Sequence, residues 1–109
     1  MKFIKILLAS ALVSLPSICQ PAEFWSGETT VTHLYPTSNM YVFNVTYANS
    51  LSTCDNGRRF RIDMANPNYN ALVSSLLAAF MAGKKINFNV DDAQGSSCEP
   101  SINRFFIYQ

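Results

Sequence analysis

NPNYNALVSSLLAAFMAGKK, residues 66–85, is the one stretch of this chain whose apolar residues keep a helical period over several turns. They recur at spacings of three and four and would form one stripe along a helix: Tyr69, Leu72, Val73, Leu76, Leu77 and Phe80. Asn66 is suited to cap the helix, Pro67 to be its first residue and Gly83 to end it. We therefore predict a single helix, with the rest of the chain arranged around it.

The other side of this predicted helix is unusual because it carries no charge. A helix face in water normally bears several charged side chains, yet none occurs between Pro67 and Gly83. Small residues on that side would allow another helix to approach closely. We take four of them as the candidate oligomer face: Ser74, Ser75, Ala78 and Ala82.

The amino terminus has the pattern of a secretory signal. Lys2 and Lys5 precede an apolar run of about ten residues, which is too short to span a bilayer. Residues 1–22 are predicted to be the signal peptide, with cleavage after Cys19 or after Ala22, and a lipid anchor on Cys19 is a third reading. Residues 23–109 are predicted to form one domain, exported to the periplasm or secreted.

From residue 23 onward the chain has six Arg and Lys residues against seven Asp and Glu residues, a net charge of −1. Such a balance creates no field that would attract nucleic acid, so nucleic acid is not an expected partner. No membrane span is expected either.

Cys54 and Cys98 are the only cysteines left after the signal segment. In an exported chain of this size we expect them to form a disulfide. A metal-binding or redox-active pair is the alternative, but neither a Cys-x-x-Cys spacing nor a nearby histidine supports it.

Five segments read as strands, because they alternate apolar and polar residues or are rich in Val, Thr and aromatic residues. They are residues 28–35, 40–47, 59–64, 85–91 and 102–108. Within them, Phe60, Ile62 and Met64 are expected to face inward, and Asn87 and Asn89 outward. The order β-β-β-α-β-β predicts a mainly β domain with one helix, a small closed or nearly closed antiparallel barrel of the OB type. A split sheet with the helix across one face is the second possibility.

The sequence shows no catalytic constellation. His33 is the only histidine and has no Cys, Asp or Glu at ligand spacing, so we expect no enzyme activity, metal or cofactor. Arg59 and Arg61 should share the outer face of one strand, where they are candidates to contact an anion or a partner carboxylate. A simpler interpretation is that these two charges lie on an exposed strand and prevent it from pairing with the edge of another sheet.

Aromatic residues are numerous outside the helix: Phe24, Trp25, Tyr35, Tyr41, Tyr47 and Tyr108. Most are expected in the core. An exposed ring beside Ser, Thr or Asn can also hold the apolar face of a sugar.

These features resemble the OB-fold B subunits of five-subunit bacterial toxins, of the subtilase-cytotoxin type. The resemblance rests on Trp25-Ser26-Gly27 near the mature start, the cysteine pair, and the helix LLAAFMAGKK leading into INFNV. It implies a homo-oligomeric ring, with helices around a central pore, that binds glycans on host cells. It covers most of residues 23–109, by order of elements, and assigns no sugar-binding residue.

The expected function is therefore that of an exported, non-enzymatic binding domain, resembling a toxin B subunit, that recognises glycans or a protein partner as an oligomer. The alternative is a monomeric periplasmic binding or inhibitor protein.

Overall fold

The computed structural model describes residues 23–91 and 97–109. The predicted signal peptide, residues 1–22, lies outside the described residues. The elements are β1 Glu23–Trp25, β2 Thr29–Pro36, β3 Met40–Val45, β4 Arg59–Asp63, α1 Tyr69–Ala82, β5 Lys85–Asp91 and β6 Ile102–Ile107, with a 3₁₀ turn at Asp55–Gly57. The five predicted strands are all present, and β1 is the element that the alternation analysis missed.

The six strands form one antiparallel sheet. β5 pairs with β1, with the first residues of β2 and with β6, while β3 lies between β2 and β4. The prediction of a mainly β fold with one helix is confirmed. The sheet is open, however, and not a closed barrel: among the described residues, only one parallel bridge, Arg61 to Ser101, joins the β4 side to the β6 side.

A trio of phenylalanines forms the centre of the core. Phe43, Phe60 and Phe88 come from three different strands and are fully buried. The Phe88 ring stands edge-on to the other two, with centroids 5.5 Å from Phe43 and 4.6 Å from Phe60, an arrangement that aromatic rings favour. The alternation of β3, β4 and β5 thus brings one aromatic residue from each strand to the same layer.

The helix packs over this core and contacts β2 and β4. Leu76 and Ala79 are the buried residues of its inner face, and four residues of the predicted stripe pack beside them: Tyr69, Leu72, Val73 and Phe80. Gly83 ends the helix with φ of 64°, and the amides of Gly83 and Lys84 donate to carbonyls of the last turn. The predicted helix end is therefore confirmed.

The helix begins two residues later than predicted. Tyr69 is its first residue, so Pro67 lies in the preceding turn. Asn66 still acts locally, because its Oδ1 accepts a hydrogen bond from the Asn68 amide at 2.7 Å. This bond closes a turn before the helix instead of capping the helix itself.

Two of the five side chains whose direction was predicted on β4 and β5 do not face the predicted way. Met64 is half exposed, since β4 ends at Asp63 and Met64 falls in the turn beyond it. Asn89 was expected to face outward but is fully buried. Its strand neighbours Trp25 and Arg104 cover it, with the Arg104 guanidinium carbon 5.6 Å from the centre of the Trp25 ring.

The predicted disulfide between Cys54 and Cys98 is present, with the two Cα atoms 4.8 Å apart. It joins the loop before β4 to the segment before β6. Hydrogen bonds run beside it, from Thr53 N to Ser97 O at 3.1 Å and from Ser52 Oγ to Cys98 O at 2.8 Å. The bridge therefore ties the two sides of the open sheet close to the β-bridge between Arg61 and Ser101.

Candidate functional site

The outer surface of the β2–β3 hairpin, together with the loop that follows β3, forms two shallow concavities side by side. One is lined by residues from Thr46 to Ser50, and the other by residues of β2, β3 and the 3₁₀ turn, including Thr32, His33 and Asn44. Thr46, Asn56 and Arg58 line both. We call this joined surface, centred on those three residues, the loop surface.

A small polar network holds the loop against the sheet. Asp55 Oδ2 accepts hydrogen bonds from the Asn44 amide at 2.8 Å and from Arg59 Nε at 2.9 Å. Both hydrogen bonds lower the pKa of the Asp55 carboxyl below its usual value, and the bond from Asn44 has the larger effect. The side chain of Asn44, which alternation alone would place on the open side of β3, is buried because this loop covers it.

The loop backbone is also unusual. Ser50, Asp55 and Asn56 have φ of 57°, 53° and 57°, and no other described residue except glycine has a positive φ. Asp and Asn tolerate this conformation better than most residues, and such conformations persist where the surroundings impose them. Here the amides of Gly57 and Arg58 both donate to the Cys54 carbonyl, next to the disulfide. The loop surface is thus built on a restrained segment.

Tyr47 presents its ring on this surface and is 53% exposed. Its hydroxyl donates to Asn49 Oδ1, and the Asn49 amide in turn donates to the Trp25 carbonyl at 3.0 Å. These contacts link the ring to β1, and Gly27 lies beside the ring, where a Cβ would be at an ordinary van der Waals distance of 3.5 Å. The ring is therefore exposed and held in place.

Arg58 supplies the positive charge of the loop surface, whose lining also includes Asp55. It is exposed, and it forms no ion pair with any residue that the structure describes. Its neighbour Arg59 differs, because it pairs with Asp55 and lies 3.5 Å from a carboxylate oxygen of Glu99. Strand alternation indicated Arg59 and Arg61 as the exposed pair. The Asp-Asn-Gly turn before Arg58 is the local pattern that could have indicated an exposed cation there.

The predicted anion-contact pair, Arg59 and Arg61, lies on β4 beside the disulfide. Arg61 donates to the Glu99 carbonyl at 2.8 Å and to Asp63 at 3.3 Å. Together with the contacts of Arg59, these bonds join β4 to the segment that carries Cys98. An external anion would have to displace carboxylates or a carbonyl, so contact with an anion stays a prediction for these two residues.

The candidate oligomer face lies on the outer side of α1. Ser74, Ala78 and Ala82 are exposed, while Ser75 is half-buried and lines an apolar groove between α1 and β6. Ser74 Oγ donates to the Asn70 carbonyl at 2.8 Å, so its hydroxyl is satisfied within the helix. The uncharged face is therefore available to a partner.

Ala78→Glu tests this face. On a solvated surface the change should alter the free energy of unfolding by no more than about 0.5 kcal/mol. In an interface between copies, the carboxylate would lose water without gaining a partner, and symmetry would set like charges together. We expect light scattering to show wild-type oligomers and a smaller species for Ala78→Glu at equal concentration.

Met64→Glu is the control for that experiment, because Met64 lies in the turn after β4 and not on α1, and it is 50% exposed. It should keep the wild-type mass. An Ala78→Glu variant with the wild-type mass would assign the face to solvent.

His33 is exposed on β2, and its Nδ1 lies 3.2 Å from the Thr32 hydroxyl. It borders the loop surface without a carboxylate hydrogen-bonded to its ring. Within residues 23–91 and 97–109, no three His, Cys, Asp or Glu side chains are grouped as a metal site would require.

The other predicted aromatic residues are distributed around the sheet. Tyr41 packs against the core, and Phe24 and Tyr35 are each 41% exposed. Trp25 stacks on Phe106 with centroids 5.2 Å apart, and the Tyr108 hydroxyl accepts from the Asn87 amide at 3.2 Å. None of these rings lines the loop surface, where Tyr47 is the aromatic member.

Among the described residues no helix is long and apolar enough to cross a bilayer. The chain matches no protein-family model, no curated protein and no solved structure.

Proposed function

We propose that this chain is an exported, non-enzymatic domain that binds glycans at the loop surface. The observation that carries the proposal is the exposed Tyr47 ring, held beside exposed amide, hydroxyl and guanidinium groups on a restrained loop. A sugar ring has an apolar face that packs on an aromatic ring and hydroxyls that bond to polar groups around it.

The restrained loop favours binding because it loses little conformational entropy when a ligand binds. The Asp55 network and the disulfide of the adjacent Cys54 hold the same part of the loop, just before Asn56. Asn56 and Arg58 are consequently displayed in one arrangement. The disulfide also suits an oxidising, exported location.

A single shallow site of this kind would bind weakly, and assembly would raise its effective affinity. Linking several copies can raise the overall affinity about 10²–10⁴-fold without any new contact within a site. The uncharged outer face of α1 supports the proposal of a homo-oligomer, as the resemblance to toxin B subunits implies.

A glycan array probed with labelled protein tests the proposal. We expect binding to a limited set of glycans, and about tenfold weaker binding for Tyr47→Ala, since an aromatic contact contributes about 0.5–1.5 kcal/mol beyond its buried area. Arg58→Ala should weaken binding about 10–100-fold if its guanidinium bonds to the ligand, because such charged bonds contribute about 1.5–3 kcal/mol.

Two control variants keep this experiment specific. Phe24→Ala removes an aromatic ring of similar exposure away from the loop surface and should bind as the wild type does. His33→Ala should leave affinity nearly unchanged. Loss of a measured activity in folded His33→Ala would contradict a non-enzymatic role, and wild-type binding by both Tyr47→Ala and Arg58→Ala would exclude the loop surface.

A further inference from the structure

The disulfide has different surroundings at its two sulfur atoms. Arg59 Nη1 lies 3.8 Å from the sulfur of Cys98, and the Arg59 side chain is 29% exposed, so water only partly screens its charge there. Each cysteine is followed in sequence by an acidic residue, Asp55 after Cys54 and Glu99 after Cys98. The carboxylates therefore do not distinguish the two sulfurs, whereas the guanidinium contact does.

The two sulfurs also differ in how easily a molecule from solvent can approach them. Cys54 and Cys98 are both half-buried, but the residues on either side of Cys54, Thr53 and Asp55, are exposed. The residues on either side of Cys98 are half-buried, and its carbonyl accepts a hydrogen bond from Ser52 Oγ at 2.8 Å. A small thiol therefore reaches Cys54 more easily.

Both differences favour the same direction of thiol–disulfide exchange. In this reaction a thiolate attacks one sulfur of the disulfide, and exchange is faster when the other sulfur is a stable thiolate as it leaves. A neighbouring arginine stabilises the thiolate form of a cysteine. Cys98 is consequently the better leaving sulfur, and Cys54 the better sulfur to attack.

We propose that external thiols and disulfides exchange with this bridge at Cys54, and that Cys98 takes part as a thiolate beside Arg59. In the opening direction, an external thiolate RS⁻ forms a bond to the Cys54 sulfur, and the electron pair of the broken bridge leaves on Cys98. A second RS⁻ then removes the RS group as RSSR and releases the Cys54 thiolate.

The closing direction uses the same two roles in reverse. The Cys98 thiolate attacks Cys54 in the mixed disulfide, the bridge forms, and RS⁻ leaves. A thiol–disulfide oxidoreductase that forms this bridge is therefore expected to be joined transiently to Cys54. The exchange does not depend on glycan binding.

The first test uses oxidised wild-type protein and glutathione. Exchange is stopped with acid after short intervals, and peptides from a pepsin digest at low pH show by mass spectrometry which cysteine carries glutathione. We expect about a tenfold excess of the adduct on Cys54, because Cys98 is the more stable thiolate. Equal amounts on the two cysteines, or more on Cys98, would overturn the proposal.

Variants of two neighbouring arginines test the part played by the guanidinium. Arg59→Gln should lose most of the excess on Cys54, and Arg59→Lys, which keeps the positive charge, should retain part of it. Arg58→Gln is the matched control, since it removes the same charge from the adjacent exposed residue and should keep the wild-type ratio. Circular dichroism of the oxidised variants checks that each is folded.

A folded Arg59→Gln variant with the wild-type ratio would also overturn the proposal. The glycan array gives an independent result. A protein that binds no glycan but exchanges at Cys54 would keep this inference and lose the proposed function. A protein that binds glycans but exchanges equally at both cysteines would do the reverse.

Discussion

Replacing both Cys54 and Cys98 with serine should lower the free energy of unfolding by about 4 kcal/mol. The bridge spans a sequence separation of 44 residues, and in the chain-entropy model cross-linking a loop of that size restricts the unfolded chain by about this amount. For a domain of this size the melting temperature should fall by roughly 15–30 °C. Thermal unfolding followed by circular dichroism measures the change.

Wild-type protein treated with reductant is the control, because it loses the same bond without a substitution. Its stability should match that of the double serine variant. Two free thiols in native protein purified without reductant, or equal stability with and without reductant, would contradict the structural role of this bridge. Because hydrogen bonds of Ser52 and Thr53 also join the two segments, the reduced sheet should keep their contact at temperatures below its melting point.

Phe88→Ala should lower the free energy of unfolding by about 3–5 kcal/mol, the usual loss for a phenylalanine removed from a packed core. Phe88 is fully buried, and its ring stands edge-on to both Phe43 and Phe60. Its removal would leave a cavity between three strands. Since single domains are stable by only about 5–15 kcal/mol, the variant should be close to unfolding. Urea denaturation provides the measurement.

Phe106→Ala is the matched control, because Phe106 lies on the neighbouring strand but is 56% exposed. It should lose only its stacking on Trp25, about 0.5–1.5 kcal/mol. Similar losses for the two variants would mean that the ring trio is not the centre of the core.

Much of the fold follows from local sequence pattern. The strands alternate with period two and the helix repeats every three or four residues, so the type and approximate bounds of these elements could be predicted without tertiary contacts. Gly83 marks the helix end because it adopts a positive φ easily. The disulfide could be predicted because only two cysteines follow residue 22, where the predicted signal peptide ends.

The candidate site could be predicted only in outline. An exposed aromatic ring beside polar residues was expected, but nothing local distinguished Tyr47 from the other tyrosines. Its position depends on Asn49 and Trp25, and Trp25 is 22 residues earlier in the chain. Arg59 and Arg61 have the spacing of an exposed pair. However, Asp55 and Glu99 pair with Arg59, and the Glu99 carbonyl accepts a hydrogen bond from Arg61.

The sequence by itself determined the order of the helix and the five longer strands, the apolar stripe of the helix and the cysteine pair, because each depends on neighbours within a few residues or on a simple count. Only the tertiary structure decided that the sheet stays open, that Asn44 and Asn89 are buried and that Arg58 is the exposed cation of the loop surface. The physical reason is that burial and pairing depend on which distant segments meet. Here the loop over Asn44, the row from Trp25 through Asn89 to Arg104, and the seam at Arg61 and Ser101 are contacts that no local period encodes.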